Sequence, residues 1–182
     1  MRIRHKSKAP ARCEPFDHVT DVDRFLGNLH GGKGHRTGPQ HLSATIAHVM
    51  NSYRAKSVAV PAVLPETWLD DLPADTVVLR DDPPLTLHQL EAAHISLTAC
   101  ALAVATSGAV ALDGGPGQGR RVLSLIPERH VCVVRASQIV DTLSGAFFAF
   151  TSKRSVMWIT APSDGVLYGR RSLDVIVVDD RV

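Results

Sequence analysis

Short runs rich in Val and Ile recur along the chain, and they constrain its fold more than any other feature. Such runs occupy Lys56–Pro61, His130–Val134 and Leu173–Val178. Between the runs lie segments with helical spacing of apolar residues, including Asp17–His30 and about Pro39–Arg54. Apolar runs without alternation are typical of parallel strands covered on both faces. The pattern predicts a three-layer α/β domain with a mainly parallel sheet.

The remaining segments extend the same alternation. Thr20 or Asp21 is predicted to cap the first helix, and the glycines between Gly31 and Gly38 are predicted to break it. Further strands are predicted at Thr76–Leu79, Ile95–Val104, Ala109–Leu112 and Val156–Thr160. Further helices are predicted at Leu87–Ala93 and Ser137–Phe150, with helical turns at Trp68–Leu72 and Arg121–Ile126.

Length and charge indicate one ordinary globular domain. A chain of 182 residues fits a single domain, which we place at residues 16–182. Residues 1–15 are rich in Arg and Lys and have no apolar run, so they are predicted to form a basic, solvated tail. The net charge of +2 is too small to indicate nucleic acid as the main partner.

The distribution of apolar residues and cysteines indicates a cytoplasmic protein. An uninterrupted apolar run of about 18 residues, which a membrane span requires, does not occur. Cys13, Cys100 and Cys132 are odd in number and widely separated, which excludes a CxxC motif and argues against a disulfide framework. Cys100 and Cys132 lie in apolar runs and are predicted to be buried. The histidines lack the HExxH context, so no metal site is predicted.

A glycine-rich segment followed by two arginines is the strongest candidate for a binding site. The string Gly-Gly-Pro-Gly-Gln-Gly is neither a P-loop nor a GxGxxG fingerprint, and a hairpin connection with solvated arginines is the alternative interpretation. However, the turn Thr106-Ser107-Gly108 lies on the other side of one short strand and would also suit an oxyanion. We therefore predict an anion site that includes Ser107, Gly108, Gly117, Gly119, Arg120 and Arg121.

Four segments carry a resemblance to a known family. They are FDHVTDVDRF, DDPPLTLHQLE, WITAPS and the long run LTACALAVATSGAVALDGGPGQGRRVLSLIPERHVCVVRASQIV. Together they resemble the LUD domain family, and within it the actinobacterial lactate-utilisation protein C group. The resemblance covers about Phe16–Ser163 and resumes at Gly169–Val178. It implies a fold similar to the NagB, ribose-phosphate isomerase and coenzyme A transferase superfamily.

The resemblance also implies a function and shows two departures from the family pattern. It implies an accessory subunit that supports oxidation of L-lactate to pyruvate, with iron–sulfur clusters carried by partner subunits and no cofactor on this chain. Thr106–Ala109 replaces an acidic residue followed by Thr-Gly-Thr, and the Thr106 hydroxyl is too weak to act as a general base. The C-terminal motif is shortened, although it keeps Ser163 and Arg171 as further anion-binding candidates.

Three functions remain open at this point. The first is the accessory subunit, which binds a small carboxylate or phosphate and contacts iron–sulfur partners, but neither nucleic acid nor membrane. The second is a degenerate scaffold or regulatory protein in which the site no longer works. The third is a stand-alone transferase or isomerase, which only the fold suggests. No catalytic residue is assigned in any of them.

Overall fold

The computed structural model describes residues 18–150, 154–160 and 172–180. Its helices are α1 (His18–Gly27), α2 (Leu42–Ser52), α3 (Leu87–Ala92), α4 (Arg121–Leu125) and α5 (Leu143–Ala149). Its strands are β1 (Lys33–Thr37), β2 (Ser57–Val60), β3 (Val77–Arg80), β4 (Ile95–Ala99), β5 (Leu102–Val104), β6 (Ala109–Leu112), β7 (Arg129–Arg135), β8 (Ile139–Val140), β9 (Met157–Ile159) and β10 (Ser172–Val178). Single 3-10 turns occupy Pro39–His41, Glu66–Trp68 and Ala136–Gln138. The predicted basic tail lies outside the described residues.

Six strands form one parallel sheet in the order β1-β10-β7-β4-β2-β3. The inner strands are apolar on both faces because both faces are covered, and Val131 to Val134 are almost completely buried. One face packs against α2 through Ile46, Val49 and Met50. The other face packs against α1 and a second sheet. The predicted three-layer α/β architecture is therefore confirmed.

The second sheet corrects two of the predicted elements. The predicted strand Ile95–Val104 is two strands, β4 and β5, which belong to different sheets. The predicted helix Ser137–Phe150 starts too early, because Ala136–Gln138 is a 3-10 turn and β8 pairs with β5. Helix α5 begins only after Thr142, whose hydroxyl accepts the Gly145 backbone N–H at 3.2 Å. Apolar spacing alone did not distinguish a short buried strand from the start of a helix.

The first part of the described chain also differs from the predictions. Strand β1 lies inside the glycine segment that was predicted only to end α1, and its sequence Lys-Gly-His-Arg-Thr contains no large apolar residue. A polar strand fits here because β1 is an edge of the sheet, where charged side chains face solvent. The predicted caps Thr20 and Asp21 were wrong, since both residues lie within α1.

Cys100 and Cys132 are both buried, as predicted. Their thiols contact each other, and a hydrogen bond to Cys132 together with burial raises the pKa of the Cys100 thiol well above its usual value. A raised thiol pKa leaves little thiolate, which is the reactive form. The two cysteines therefore belong to the core.

Helix α3 is held at its start by a capping box. The Gln89 backbone N–H donates to the Thr86 hydroxyl at 3.3 Å, and the Thr86 backbone N–H donates to Gln89 Oε1 at 2.9 Å. We expect Thr86→Ala to lower the free energy of unfolding by about 1 kcal/mol, because the first turn loses one partner for its N–H groups. Urea denaturation of both proteins measures the difference. Thr86→Ser retains the hydroxyl and should lose only a small fraction of this amount.

Candidate functional site

The two halves of the predicted anion site lie at opposite ends of a hairpin. Strands β5 and β6 pair antiparallel, with Val104 opposite Ala109 and Leu102 opposite Ala111. The turn containing Ser107 and Gly108 closes one end of this hairpin, and the glycine-rich loop follows its other end. The five residue-to-residue steps from Gly108 to Asp113 span roughly 17 Å when extended. The structure therefore does not bring Ser107 and Gly108 together with Gly117, Gly119, Arg120 and Arg121.

Gly108 lies where the hairpin turn packs closely against the backbone at the end of α1. Its φ of 63° lies in the left-handed region, and a Cβ placed on it would be 2.2 Å from the backbone O of Asn28. The Asn28 side-chain amide also donates to the Ala105 carbonyl at 2.8 Å. The turn thus docks on the end of α1, and the close approach of two backbones explains why a glycine stands at this position.

The glycine-rich loop borders a cleft at the carboxyl edge of the parallel sheet. The cleft has a volume of about 610 Å³ and is lined by residues that follow β2 and β3 and by the loop itself. The Ala99 backbone N–H, at the end of β4, donates to the Gly117 carbonyl at 2.8 Å, which ties the loop to this edge. Strands β2 and β4 are neighbours in the sheet. The chain leaves β2 toward β3 at one edge, whereas the next strand of this sheet after β4 is β7, which lies in the other direction. Ligands of open α/β sheets bind at such topological switch points.

Two side chains within the loop hold its backbone in shape. The buried Gln118 accepts the backbone N–H of Asp113 at 2.7 Å and that of Gly114 at 3.2 Å. Its amide nitrogen donates to Asp113 Oδ1 at 2.9 Å, and the same oxygen accepts the Gly115 N–H at 3.0 Å. Every bond of this set lies within six consecutive residues. The loop is therefore locally braced, and it leads from β6 into α4, so it is not the hairpin connection of the alternative interpretation.

We expect Gln118→Ala to lower the free energy of unfolding by about 2 kcal/mol. The substitution leaves the Asp113 and Gly114 N–H groups without their acceptor, and unpaired buried polar groups carry a cost of this order. Urea denaturation measures the change in stability. Hydrogen exchange at the Gly114 amide provides the local readout, because an intact brace in the variant would leave this amide as protected as before.

Arg120 lies in the cleft with one side of its guanidinium fixed. Its Nε donates to Asp81 Oδ2 at 2.8 Å, and its Nη2 donates to Asp81 Oδ1 at 2.5 Å and to the Leu85 carbonyl at 2.9 Å. The Asp81 side chain is only 4% exposed, whereas that of Arg120 is 44% exposed. Within the described residues Nη1 has no hydrogen-bond acceptor, so this nitrogen can donate to a ligand.

The pKa values of the pair fix its charges. The hydrogen bond from Arg120 is the main cause that lowers the pKa of the Asp81 carboxyl, and the Leu85 N–H adds to this effect. The same bond raises the pKa of Arg120. Both groups are therefore ionised at neutral pH. Asp81 is also a weak base in this state, because its oxygens already accept hydrogen bonds from Arg120 and Leu85.

Only some of the other predicted anion-site residues line this cleft. Arg121 donates from Nη2 to the Ser155 carbonyl at 2.8 Å and does not line the cleft. Gly117 and Gly119 do line it, as does Arg154, which the sequence analysis missed. Ser163 and Arg171 lie outside the described residues. The cleft thus combines Arg120 and Arg154, and not the adjacent arginines of the sequence.

The described lining of the cleft consists of Gly, Pro, Ala and Val residues together with Asp81, Arg120 and Arg154. Among the described residues that line it there is no Ser, Cys or His to act as nucleophile or general base. The sequence did contain a signal for Asp81, because it follows directly after a strand, at the edge of the sheet where ligands bind. Arg154 is distant from the loop in sequence and only the folded chain brings it there.

The described part of the chain contains neither a metal-binding cluster nor a membrane-spanning helix. Within it, no three His, Cys, Asp or Glu side chains come together in an arrangement that could hold a metal ion. None of the described helices is long and apolar enough to cross a membrane.

Comparisons with known proteins agree with this architecture. The LUD domain model matches residues 68–163, which include the cleft loop and Asp81. The chain is 37% identical over 170 residues to a protein of Deinococcus radiodurans named Lactate utilization protein C, covering 86% of this chain and 76% of the relative. A crystal structure of a DUF162 family protein from the same organism superimposes with a TM-score of 0.79 and 36% identity, covering 90% of this chain and 99% of that one. The chain belongs to the LUD domain family.

Proposed function

We propose that this protein acts in lactate utilisation, as an accessory subunit that supports the oxidation of L-lactate to pyruvate by iron–sulfur partner proteins. The observation that carries the proposal is the 37% identity to Lactate utilization protein C of Deinococcus radiodurans over most of both chains. A match of this extent includes the core strands and the cleft loop together. It supports a shared role more strongly than a shared fold alone.

The reaction requires one group that accepts electrons and another that holds the substrate, and the proposal assigns them to different proteins. Conversion of L-lactate to pyruvate removes two electrons and two protons from the substrate, and a redox group must accept the electrons. In this proposal the clusters of the partner proteins accept them, and this chain contributes no cofactor. Its part is to hold a small carboxylate, for which the described cleft supplies Arg120 and Arg154 and no competing nucleophile.

Anaerobic co-purification followed by an activity measurement tests the proposal. The tagged full chain, expressed in its own host on L-lactate, should retain proteins that carry iron and acid-labile sulfide. The retained assembly should reduce an artificial electron acceptor when L-lactate is added and release pyruvate. Removal of this chain from the assembly should lower that rate severalfold. Retention of no iron–sulfur protein, or an unchanged rate without this chain, would contradict the proposal.

A scaffold without a working site is the second candidate function. It is favoured by the positions of Gly108 and Arg121, because the first packs on the backbone of Asn28 and the second is bound to the Ser155 carbonyl. In that case the chain would retain its iron–sulfur partners but bind neither pyruvate nor L-lactate. Isothermal titration of the purified chain with both acids distinguishes the two functions.

A further inference from the structure

The guanidinium of Arg120 is fixed in the cleft, and its free N–H groups determine which class of ligand can bind there. Arg120 has five N–H donors, of which three are used by Asp81 and the Leu85 carbonyl. The two hydrogens on Nη1 remain, and they lie on a group whose orientation the buried Asp81 carboxylate fixes. A preorganised donor loses less side-chain entropy on binding than a free arginine does. A ligand oxygen would therefore meet a donor that is already in position.

We propose that Asp81 is a positioning residue for a monocarboxylate subsite, in which Arg120 Nη1 binds one carboxylate oxygen at the carboxyl edge of β2 and β3. The proposal rests on the proposed function, which supplies small carboxylates as ligands. Asp81 acts only through Arg120 and does not contact the ligand itself.

The charges of the cleft favour a single negative charge on the ligand. Asp81 cancels the charge of Arg120, so the ion pair beside which the ligand would bind is neutral as a whole. A monocarboxylate adds one negative charge beside this pair. Inorganic phosphate as the dianion would add a second negative charge close to Asp81, and like charges at such separations repel. The Asp113 carboxylate already accepts hydrogen bonds from the Gly115 N–H and the Gln118 side-chain amide.

A pair of adjacent aspartates allows a matched test. Asp81 is buried and bound to Arg120, whereas its neighbour Asp82 is exposed. Asp81→Asn and Asp82→Asn remove the same formal charge from nearly the same place. If the carboxylate only repelled anions, both variants would bind pyruvate more tightly. If Asp81 positions Arg120, then Asp81→Asn binds more weakly although the cleft has become more positive.

Isothermal titration of the purified full chain with pyruvate, L-lactate and inorganic phosphate measures the result. We expect Asp81→Asn to raise the Kd for pyruvate about tenfold, the effect of one charge-assisted hydrogen bond, and Asp82→Asn to change it less than twofold. Arg120→Gln should raise it at least as much. The double variant Asp81→Asn/Arg120→Gln should bind no more weakly than Arg120→Gln, because Asp81 acts through Arg120.

Other outcomes would overturn the inference. They are tighter binding by Asp81→Asn, equal effects of the two asparagine variants, phosphate dianion binding more tightly than pyruvate, or no pyruvate binding by the folded wild type. Asp81→Glu keeps the charge but displaces it by one methylene, so it serves if Asp81→Asn does not fold, and it should also weaken binding. Absence of pyruvate binding with iron–sulfur partners still retained contradicts this inference and identifies the chain as a scaffold, whereas equal effects of the two asparagine variants on measurable pyruvate binding contradict this inference alone. Failure to retain those partners contradicts the proposed function.

Discussion

Replacing Gly108 with alanine is expected to lower the free energy of unfolding by at least about 3 kcal/mol. The added Cβ would lie 2.2 Å from the backbone O of Asn28 and 2.6 Å from its carbonyl carbon, and backbone atoms cannot move aside as a flexible side chain can. The φ of 63° adds the cost of a left-handed conformation, roughly 1 kcal/mol for alanine. Relief would require the hairpin turn to separate from α1. Urea denaturation of both proteins measures the difference.

Gly114→Ala is the matched control for this prediction. Gly114 has a similar φ of 72°, but nothing lies within 4 Å of a Cβ placed there. Its substitution should therefore cost only the conformational part, about 1 kcal/mol. The difference between the two variants isolates the backbone contact. Equal losses would show that the turn does not pack on Asn28 as described.

The glycines illustrate why the site was harder to predict from the sequence than the fold. The sequence showed where the glycines cluster, and Gly108, Gly114, Gly117 and Gly119 all have a positive φ, whereas Gly115 does not. It could not show what approaches each backbone. At Gly108 the close neighbour is another segment of the same chain, and at Gly117 the neighbours are Ala99 and Val63 beside the cleft.

The parallel sheet was predictable because strands that are buried on both faces have apolar residues at consecutive positions. Val131 to Val134 and Val175 to Val178 are apolar at every position, and this pattern needs no knowledge of the partners. The edge strand β1 lacks this pattern because its sequence, Lys-Gly-His-Arg-Thr, is polar, so it was missed. Short strands that leave the main sheet were also missed or merged, since β4 and β5 are separated only by Cys100 and Ala101.

The partners of the arginines depended on contacts between distant parts of the chain. Arg120 and Arg121 are adjacent in sequence, yet one binds Asp81 and the other binds the Ser155 carbonyl. Adjacent side chains at the start of a helix point in different directions, so the pair cannot act as one fork. Asp81 is 39 residues from Arg120, and only the arrangement of β3 beside β2 places it there.

His130 is expected to make the stability of the protein depend on pH between about 6.5 and 4. Its ring is 4% exposed, its Nε2 is 2.8 Å from the Thr98 hydroxyl, and its Nδ1 has no hydrogen-bond partner in the described residues. Burial lowers its pKa from 6.5 to about 4, because the imidazolium would lose its hydration without gaining a counter-charge. Across this window the unfolded chain binds a proton at His130 that the folded chain does not.

The sign of the effect follows from this difference in bound protons. The contribution of His130 is fully present above pH 6.5 and is lost as the pH falls toward 4, by about 3 kcal/mol in total. Urea denaturation at a series of pH values should therefore show a component of about 1.4 kcal/mol per pH unit within the window. The component should disappear in His130→Gln, which can still form a hydrogen bond with the Thr98 hydroxyl but does not titrate.

Subtracting the variant's pH profile from that of the wild type separates His130 from the other titrating groups. Burial lowers the pKa of His35 and acts in the same direction, whereas burial raises the pKa of Asp174 and acts in the opposite one. The lowered pKa of Asp81 makes stability fall only as the pH drops below its ordinary value of 3.8. Burial alone causes the pKa shift of His130, and none of these three groups contributes to it, so we expect their contributions to be equal in both proteins and to cancel. If the two profiles ran parallel from pH 6.5 to 4, the imidazole would have to be hydrated or paired in the folded protein, and the buried position assigned to it would be wrong.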